Sequence, residues 1–552
     1  MFIRVKTTPN SPRKSVQIVQ SVRHRDKVRQ KIVRHIGIAM DEQELIALKE
    51  LAKVVKSKLE AEHQPSLFPA EQVAKQVIAA KASQSSENDK PLTVNLKHLK
   101  EQQRVVMGIH EVYGEIYHQL SFDRLLPYSR YRASNEALFQ MVMARIANPD
   151  SKQGSVRRLE QDFGVELSLQ SVYRMMDQLD EARIKRLKSQ VCQATQALLP
   201  GPLSVLFFDC TTLYFESFQE DSLKQNGYSK DCKFNQPQVL LALMVTQEGL
   251  PVSYEVFPGA TFEGHSLIPL IESMRDQYDL DKVVCVADRG MLNEANLKAI
   301  EAAGAYYIVG AKLKQLSKAQ QAQVLDKSAY TALGQGQKTA REFIDQKRRL
   351  IVSHCPKRAA KDQHERQKAV ERLIKKLGRS QNPKDLLNNY GYKKFLVVEG
   401  KAQLSIDQDK IEQASQWDGL HGVITNLSDM PQADVLAHYR SLWQVEESFR
   451  ITKHDLKVRP IYHWTPRRVR AHIAIAFMAF TCVRHLMYRV KLQYQSLSPA
   501  VIRNALIHVQ HSILEHRTTH KRYVIPSQIS PEAKKLYELM GLSASTVPYA
   551  LD

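Results

Sequence analysis

The sequence predicts a multidomain α/β protein, and three observations predict it. The chain has 552 residues, too many for a single hydrophobic core. Between residues 203 and 310, short apolar runs alternate with helical patterns. On either side, from about 96 to 200 and from about 433 onward, the apolar spacing is helical. Composition is ordinary for a soluble globular chain, at 43% hydrophobic and 25% charged. Charge is the exception: 79 Lys and Arg against 58 Asp and Glu leave a net +21. Such an excess favours a polyanionic partner, because each neutralised phosphate releases condensed counterions. A basic protein can also bind an anionic membrane surface, so charge alone marks the partner only as acidic.

The N-terminus, MFIRVKTTPN, lacks the apolar stretch of a secretory signal. The most apolar run, Ala471 to Val483, contains His472 and is shorter than the ~20 residues a membrane span needs. It reads as a buried helix. Cys192, Cys210, Cys232, Cys285, Cys355 and Cys482 are scattered with no CxxC pair, as expected of reduced thiols rather than a disulfide or zinc framework. The expected setting is cytoplasmic and nucleoid-associated, with no membrane partner.

Taken in order, residues 1–60 form a small β/helix segment. Val16, Ile18 and Val22, then Val28 and Ile32, fall largely on alternate positions around HRDK, and a helix with an acidic start covers 41–60. Residues 61–95 are polar, broken by proline and linker-like. Residues 96–200 read as a helical DNA-binding domain. Within it, SVRRLEQDFGVELSLQSVYRMMDQL outlines a helix-turn-helix, with a tight turn at Phe163-Gly164-Val165 and a second helix from Ser168. That helix would offer Gln170, Tyr173 and Arg174 to a DNA groove. The same outline occurs in helical domains that bind no DNA.

From 201 to 310, LSVLFFD is a continuous apolar run, the mark of a strand buried on both faces. QVLLALMV and PVSYEVF form a hairpin around TQEGL, and HSLIPLIESMRDQY is an amphipathic helix. KVVCVAD is a second buried strand, NEANLKAIEAAG a helix, and AYYIVGA a further strand. Three strands, helix, strand, helix, strand is the order of an RNase H-like core, a mixed sheet flanked by helices. Residues 311–430 interrupt this core as an inserted domain. Residues 431–490 resume it, and 491–552 form a helical C-terminal region suited to oligomerisation.

Asp209 ends the apolar run VLFF, and Asp288 ends VVCVA. A carboxylate at the end of a buried strand is costly unless something compensates it, and a metal ion does. Each acid can equally cap its strand and face solvent. The third acid lies in HYRSLWQVEESFRITKHDL, where Tyr439, Glu446 and Lys453 are spaced by seven and share one helical stripe. Leu442, Val445 and Phe449 flank that stripe and can pack on a sheet. Glu447 points about 100° away from it. The plainer reading is a solvated helix with Glu446–Arg450 and Glu446–Lys453 pairs worth only ~0.3–0.5 kcal/mol each.

At this segment the sequence resembles the DDE transposases of bacterial insertion sequences that carry a Tyr, Arg, Glu, Lys signature. Tyr439, Glu446 and Lys453 match its spacing, whereas the Arg position falls on Leu442; Arg440 and Arg450 are the nearby cations. VLFFDCTTLYFES resembles the strand of the family's first Asp, and VCVADRGM that of its second. The resemblance implies metal-dependent DNA cleavage and strand transfer, with Asp209, Asp288 and Glu446 holding two Mg²⁺ or Mn²⁺ ions. It implies phosphate contacts from Tyr439, Arg450 and Lys453. It also makes Trp417 a candidate to stack on an unpaired base, beside the plainer role of core packing before an Asp-Gly turn. The implied partners are terminal inverted repeats, target DNA and a second copy of the chain. Two rivals stand beside this reading: a catalytically inactive DNA-binding relative, and another RNase H-like nuclease such as a junction resolvase. His265, His454, His463 and His472 suit zinc better than magnesium but lack a recurring HxxxH pattern with a carboxylate, and are read as structural or phosphate-contacting.

Overall fold

The structure, a computed structural model, describes residues 2–7, 14–24, 27–39, eight positions within 45–56, and 94–551. Within the last span it omits 217–218, 228–234, 263–283 (except 266 and 269), 289–293, 303, 334–337, 346–347, 378–394 and 400–402. The helix expected over HSLIPLIESMRDQY, His265, Cys232 and most of the expected linker therefore lie outside the described residues. The chain divides into two compact units, one of residues 1–104 with 511–552 and the other of 105–510.

The larger unit is α/β, built on a nine-stranded mixed sheet flanked by helices. Its first strands are β1 (Val205–Tyr214), β2 (Gln238–Thr246), β3 (Pro251–Pro258), β4 (Val284–Ala287) and β5 (Tyr306–Gly310). They lie in the order β3-β2-β1-β4-β5, antiparallel from β1 to β3 and parallel from β1 through β4 to β5. These strands have near-continuous apolar sequence because both faces are covered; all nine residues of β2 are buried.

Four more strands extend the same sheet past β5: β6 (Thr331–Ala332), β7 (Thr339–Asp345), β8 (Arg348–His354) and β9 (Leu420–Thr425). β9 pairs antiparallel with β5, from Val423 opposite Gly310 to Thr425 opposite Ile308. The region expected as an insertion over 311–430 thus shares the sheet of the core, and a separate small hairpin, Leu396–Glu399 with Gln403–Ile406, stands apart from it.

Helices α1 (Tyr128–Ala147), α2 (Lys152–Phe163), α3 (Leu169–Gln178) and α4 (Glu181–Leu198) precede the sheet. The outline read as helix-turn-helix is present. Gly164 closes α2 at φ 66°, and the Ser168 side chain caps α3 by accepting from Ser171 N. Later come α5 (Glu294–Ala302), α6 (Pro356–Leu377), α7 (Gln432–Arg440), α8 (Trp443–Arg450) and α9 (Pro466–Gln493). The 28-residue α9 is long and apolar enough to cross a membrane by composition, yet 89% of its apolar 18-residue stretch is buried inside the protein. It is the core helix the sequence suggested. Arg468 on α9 grips Asp177 of α3 through two hydrogen bonds of 2.8 and 2.7 Å and lies over the Tyr173 ring. Gln170 and Arg174 remain exposed, whereas Tyr173 is half-buried.

The two sheet faces differ. Leu206, Phe208, Leu240, Ala242, Cys285, Ala287 and Tyr307 share one core with Cys192 of α4 and Leu297 and Ile300 of α5. On the opposite face, α8 packs over β1 and β2, and α7 over β4 and β5. The β2–β3 turn places Gly249 at φ 77°, and Arg484 of α9 donates to the Gly249 and Glu248 carbonyls at 2.6 and 2.8 Å. A Cβ at Gly249 would stand 1.5 Å from the Arg484 guanidinium, so only glycine admits this clamp.

The smaller unit corrects two expectations. Residues 96–200 are not helical throughout, and 491–552 are not helical to their end. Leu99–Val106 forms a sheet with Gln510–His516, Arg522–Pro526 and Tyr549–Leu551, accompanied by helix Pro531–Met540. Gln102 and Glu515, which bond side chain to side chain in this sheet, are 413 positions apart, a pairing that local spacing cannot announce. The N-terminal strands Phe2–Thr7, Lys14–His24 and Lys27–Ala39 form an antiparallel sheet as expected, and the described positions of 45–56 are helical.

Candidate active site

Strand register brings the first two acids together. Phe208 pairs with Ala287 across the parallel β1–β4 ladder, so Asp209 and Asp288 are the next residues of adjacent strands, which lie ~4.8 Å apart. Phe208 and Ala287 both belong to the apolar core under α4 and α5. Side chains alternate across a strand, so Asp209 faces the other side, beneath α7 and α8. Asp209 is half-buried, and its Oδ1 accepts from Cys210 N at 2.7 Å. Asp288 is exposed and accepts from the Tyr439 hydroxyl at 3.2 Å. The Tyr439 ring is held in turn by His421 of β9, with centroids 5.0 Å apart.

The helix carrying Glu446 is less regular than a seven-residue stripe requires. Ser441, at φ −80° and ψ 1°, separates α7 from α8, and Leu442 N and Val445 N reach back only three residues for acceptors. A π turn over Ile451–Asp455 follows α8. Tyr439, Glu446 and Lys453 therefore sit on three successive pieces. Tyr439 and Glu446 still line one cavity with Asp288, while half-buried Lys453 lies outside that lining.

Val445, Ser448 and Phe449 bury the inner side of α8. Glu447 is clamped by Arg450, which donates Nε at 2.8 Å and Nη2 at 2.6 Å to its two oxygens. This bidentate bond holds the Glu447 carboxyl below its ordinary value and raises the Arg450 guanidinium. Arg450 also reaches Asp455 at 3.5 Å. The sequence had allowed a Glu446–Arg450 pair; the structure gives Arg450 to Glu447 and leaves exposed Glu446 facing the cavity. Leu442, at the signature's Arg position, is buried at 7% exposure, and Arg440 lines the cavity instead.

The cavity, about 1180 Å³, spans the core and the added strands. Its lining includes Lys312, Lys314, Arg358, Arg366 and Trp417 as well as Asp288, Tyr439, Arg440 and Glu446. Trp417 is half-buried against the cluster of Leu313, Val352 and Leu420, with Lys314 Nζ 5.6 Å from its ring centroid. Nothing in the sequence singles out Arg358 or Arg366 beyond their place in a basic run. Arg348 and Arg349 are tied to Glu294, Glu301 and Glu342 in ion pairs.

Three carboxylates are the hard oxygen donors that Mg²⁺ and Mn²⁺ prefer, so the donor set fits. Their spacing is more open than the set requires: among the described residues no three His, Cys, Asp or Glu side chains stand close enough to hold a metal ion. His463 and His472 are buried, and burial pushes the first down to about 3 and the second well below its ordinary value. His472 Nε2 bonds to the Val458 carbonyl at 2.8 Å, a structural role. His454 is exposed. Among the described residues none of Cys192, Cys210, Cys285, Cys355 and Cys482 is in a disulfide.

Comparison with known proteins adds two family matches. Residues 200–482 match the transposase DDE domain, and residues 3–67 match the N-terminal domain of IS1634 family transposases. No curated protein matches the chain. Among solved structures, the piggyBac transposase synaptic complex with hairpin DNA is 9% identical, covering 74% of this chain and 82% of that one at a TM-score of 0.37. The Mos1 transposase paired-end complex with the left transposon end is 12% identical, covering 46% and 70%, at a TM-score of 0.15. The two family matches, not these distant likenesses, carry the assignment.

Proposed function

The chain belongs to the DDE transposases of bacterial insertion sequences, enzymes that cleave DNA and join it to a new site, and on that premise we propose that Asp209, Asp288 and Glu446 are its catalytic carboxylates. The observation that carries this is the β1–β4 register, which sets two acids side by side on the sheet face that α8 covers with a third. The order β3-β2-β1-β4-β5 supports reading this part as an RNase H-like core, with 311–430 as an insertion that continues its sheet. Asp209, Asp288 and Glu446 would hold Mg²⁺ or Mn²⁺. When bound, the ions activate the attacking oxygen and stabilise the leaving one.

The remaining residues position the DNA. Tyr439 orients the Asp288 carboxylate through its hydroxyl and lies where a phosphate beside the cut would pass. Arg440 supplies the cationic charge that the family signature places at Leu442, and Trp417 offers an aromatic wall to an unpaired base. Arg450 acts through Glu447, fixing the turn of α8 that presents Glu446. Lys453 contacts the backbone farther along. The reaction consumes two element ends and a target, so the acting form is at least a dimer on DNA in the cytoplasm.

Incubating purified protein with Mg²⁺ and a duplex bearing the element's ends tests the assignment. Nicking is expected from the native chain and is expected to vanish in Asp209→Asn and in Glu446→Gln. Undiminished nicking by both variants would overturn it.

A further inference from the structure

The helices that precede the sheet enclose charge that the proposed chemistry does not use. Arg145 lies in the last turn of α1 and Lys152 opens α2, and the two helices pack on each other. Arg145 is 2% exposed and Lys152 5%; Ser155, three residues on along α2 and so on the same face, is also buried. Arg145 Nη1 donates to the Leu456 and Lys457 carbonyls at 3.3 and 3.0 Å. Its Nε and Nη2, with Lys152 Nζ and Ser155 Oγ, are buried and meet no hydrogen-bond partner among the described residues. Burial holds the Arg145 guanidinium down to about 10 and the Lys152 ammonium well below its ordinary value, which the charge of Arg145 lowers further.

The groups around them leave this charge unbalanced. Asp150 acts on Arg145 through space, but its Oδ1 accepts from Ser151 N at 2.7 Å and its Oδ2 from Arg158 Nε at 3.3 Å. Its carboxyl lies against Gly154 in the first turn of α2, where a Cβ would stand 2.4 Å from Asp150 Cγ. Arg468 is held by Asp177. His463 and His472, with ring centroids 5.3 Å apart, are kept neutral by burial and by both cations. His472 Nε2 gives its hydrogen to the Val458 carbonyl, so Nδ1 is an acceptor that brings no negative charge. Two buried positive charges thus stand against one negative charge, and an unpaired ion in a protein interior is too costly to keep.

We propose that Arg145, Lys152 and Ser155 form an internal binding site for one monovalent inorganic anion of chloride's size. The guanidinium, ammonium and hydroxyl groups are donors, matched to a ligand that only accepts. A phosphate of DNA does not suit these atoms, because a polymer cannot thread to groups that solvent does not reach. The single positive charge to be balanced selects a monoanion over a phosphate dianion. The bound ion joins α1 and α2 and, through Arg145, steadies the 456–458 segment that follows the turn carrying Lys453. The inference uses neither the catalytic carboxylates nor DNA.

Thermal melts of the full chain test this, run at fixed sodium concentration with chloride, phosphate or gluconate as the anion. Lys152→Met keeps most of the stem and removes the charge, and Lys185→Met, at an exposed position of α4, controls for general salt effects. Relative to Lys152→Met, the native chain and Lys185→Met are expected to gain about 2–4 °C when chloride replaces gluconate. In gluconate, Lys152→Met is expected to melt no lower than native, since it carries no unbalanced charge. A crystal grown in sodium bromide is expected to show an anomalous peak bounded by Arg145, Lys152 and Ser155, a measurement that needs no variant. An equal chloride response in native and Lys152→Met overturns the proposal, as does a bromide map without that peak or a response to phosphate in place of chloride.

Discussion

The two faces of the β1–β5 sheet are made from alternate residues of the same strands, yet one is apolar and the other carries the proposed carboxylates. On the α4–α5 side, Leu206, Phe208, Cys285 and Ala287 are at most 1% exposed and share one apolar cluster. One residue further along each strand, on the α7–α8 side, stand Asp209 and Asp288. A shift of a single position separates a side chain that holds the fold from one proposed to work on a substrate. The strand register, fixed by burial of the first face, thereby aims the second.

The sharpest way to break this contrast is on the chemical face. Asp288→Asn is expected to cut DNA cleavage on the order of 10³-fold or more while leaving the melting temperature near native, since an exposed strand-end carboxylate contributes little to packing. Cleavage rates and a thermal melt on one preparation check both halves. On the inert face, Phe208→Ala is expected to cost about 3–5 kcal/mol of stability, read from denaturant midpoints, because the ring is fully buried. A loss below ~1 kcal/mol would mean the two faces are not as distinct as drawn. Tyr439→Phe sharpens the contrast: it keeps the ring on His421 and removes the bond to Asp288, with an expected tenfold or so drop in cleavage at unchanged stability.

The smallest effect concerns Glu447. Arg450 holds its carboxyl below the ordinary value, so the stabilisation is present above the unfolded-chain pKa and is lost as pH falls through the lower folded value. Glu447→Gln should therefore cost up to about 1 kcal/mol near neutrality, with the gap to native closing in acid. Urea titrations at about pH 7 and about pH 3 check the sign.

Much of the catalytic sheet was legible because its signals are local. VLFF and VCVA are apolar at every position, Gly249 marks the hairpin, and Ser168 and Gly164 bracket the two helices of the helix-turn-helix outline at the expected places. What could not be read depends on distant partners. The strand Gln510–His516 is half polar and becomes a strand only opposite Leu99–Val106 and Arg522–Pro526. β9 finds β5 across more than a hundred residues. The break at Ser441 left no mark in the periodicity of 439–453, since Leu442 and Val445 keep the apolar side in place through tighter turns. Helical phase alone separates Glu446 from Glu447 in the sequence, whereas the Arg450 clamp on Glu447 appears only in three dimensions.

Because β9, and not solvent, completes the hydrogen bonding of β5, shortened copies of this chain face a specific hazard. Deleting residues 311–430 would strip the cover from Tyr306–Gly310, whose last four residues are fully buried, and bare an apolar edge of unpaired amides. Such an edge pairs readily with the same edge of another molecule. Internally deleted descendants of the gene should therefore yield insoluble aggregates rather than small, docile DNA-binding remnants.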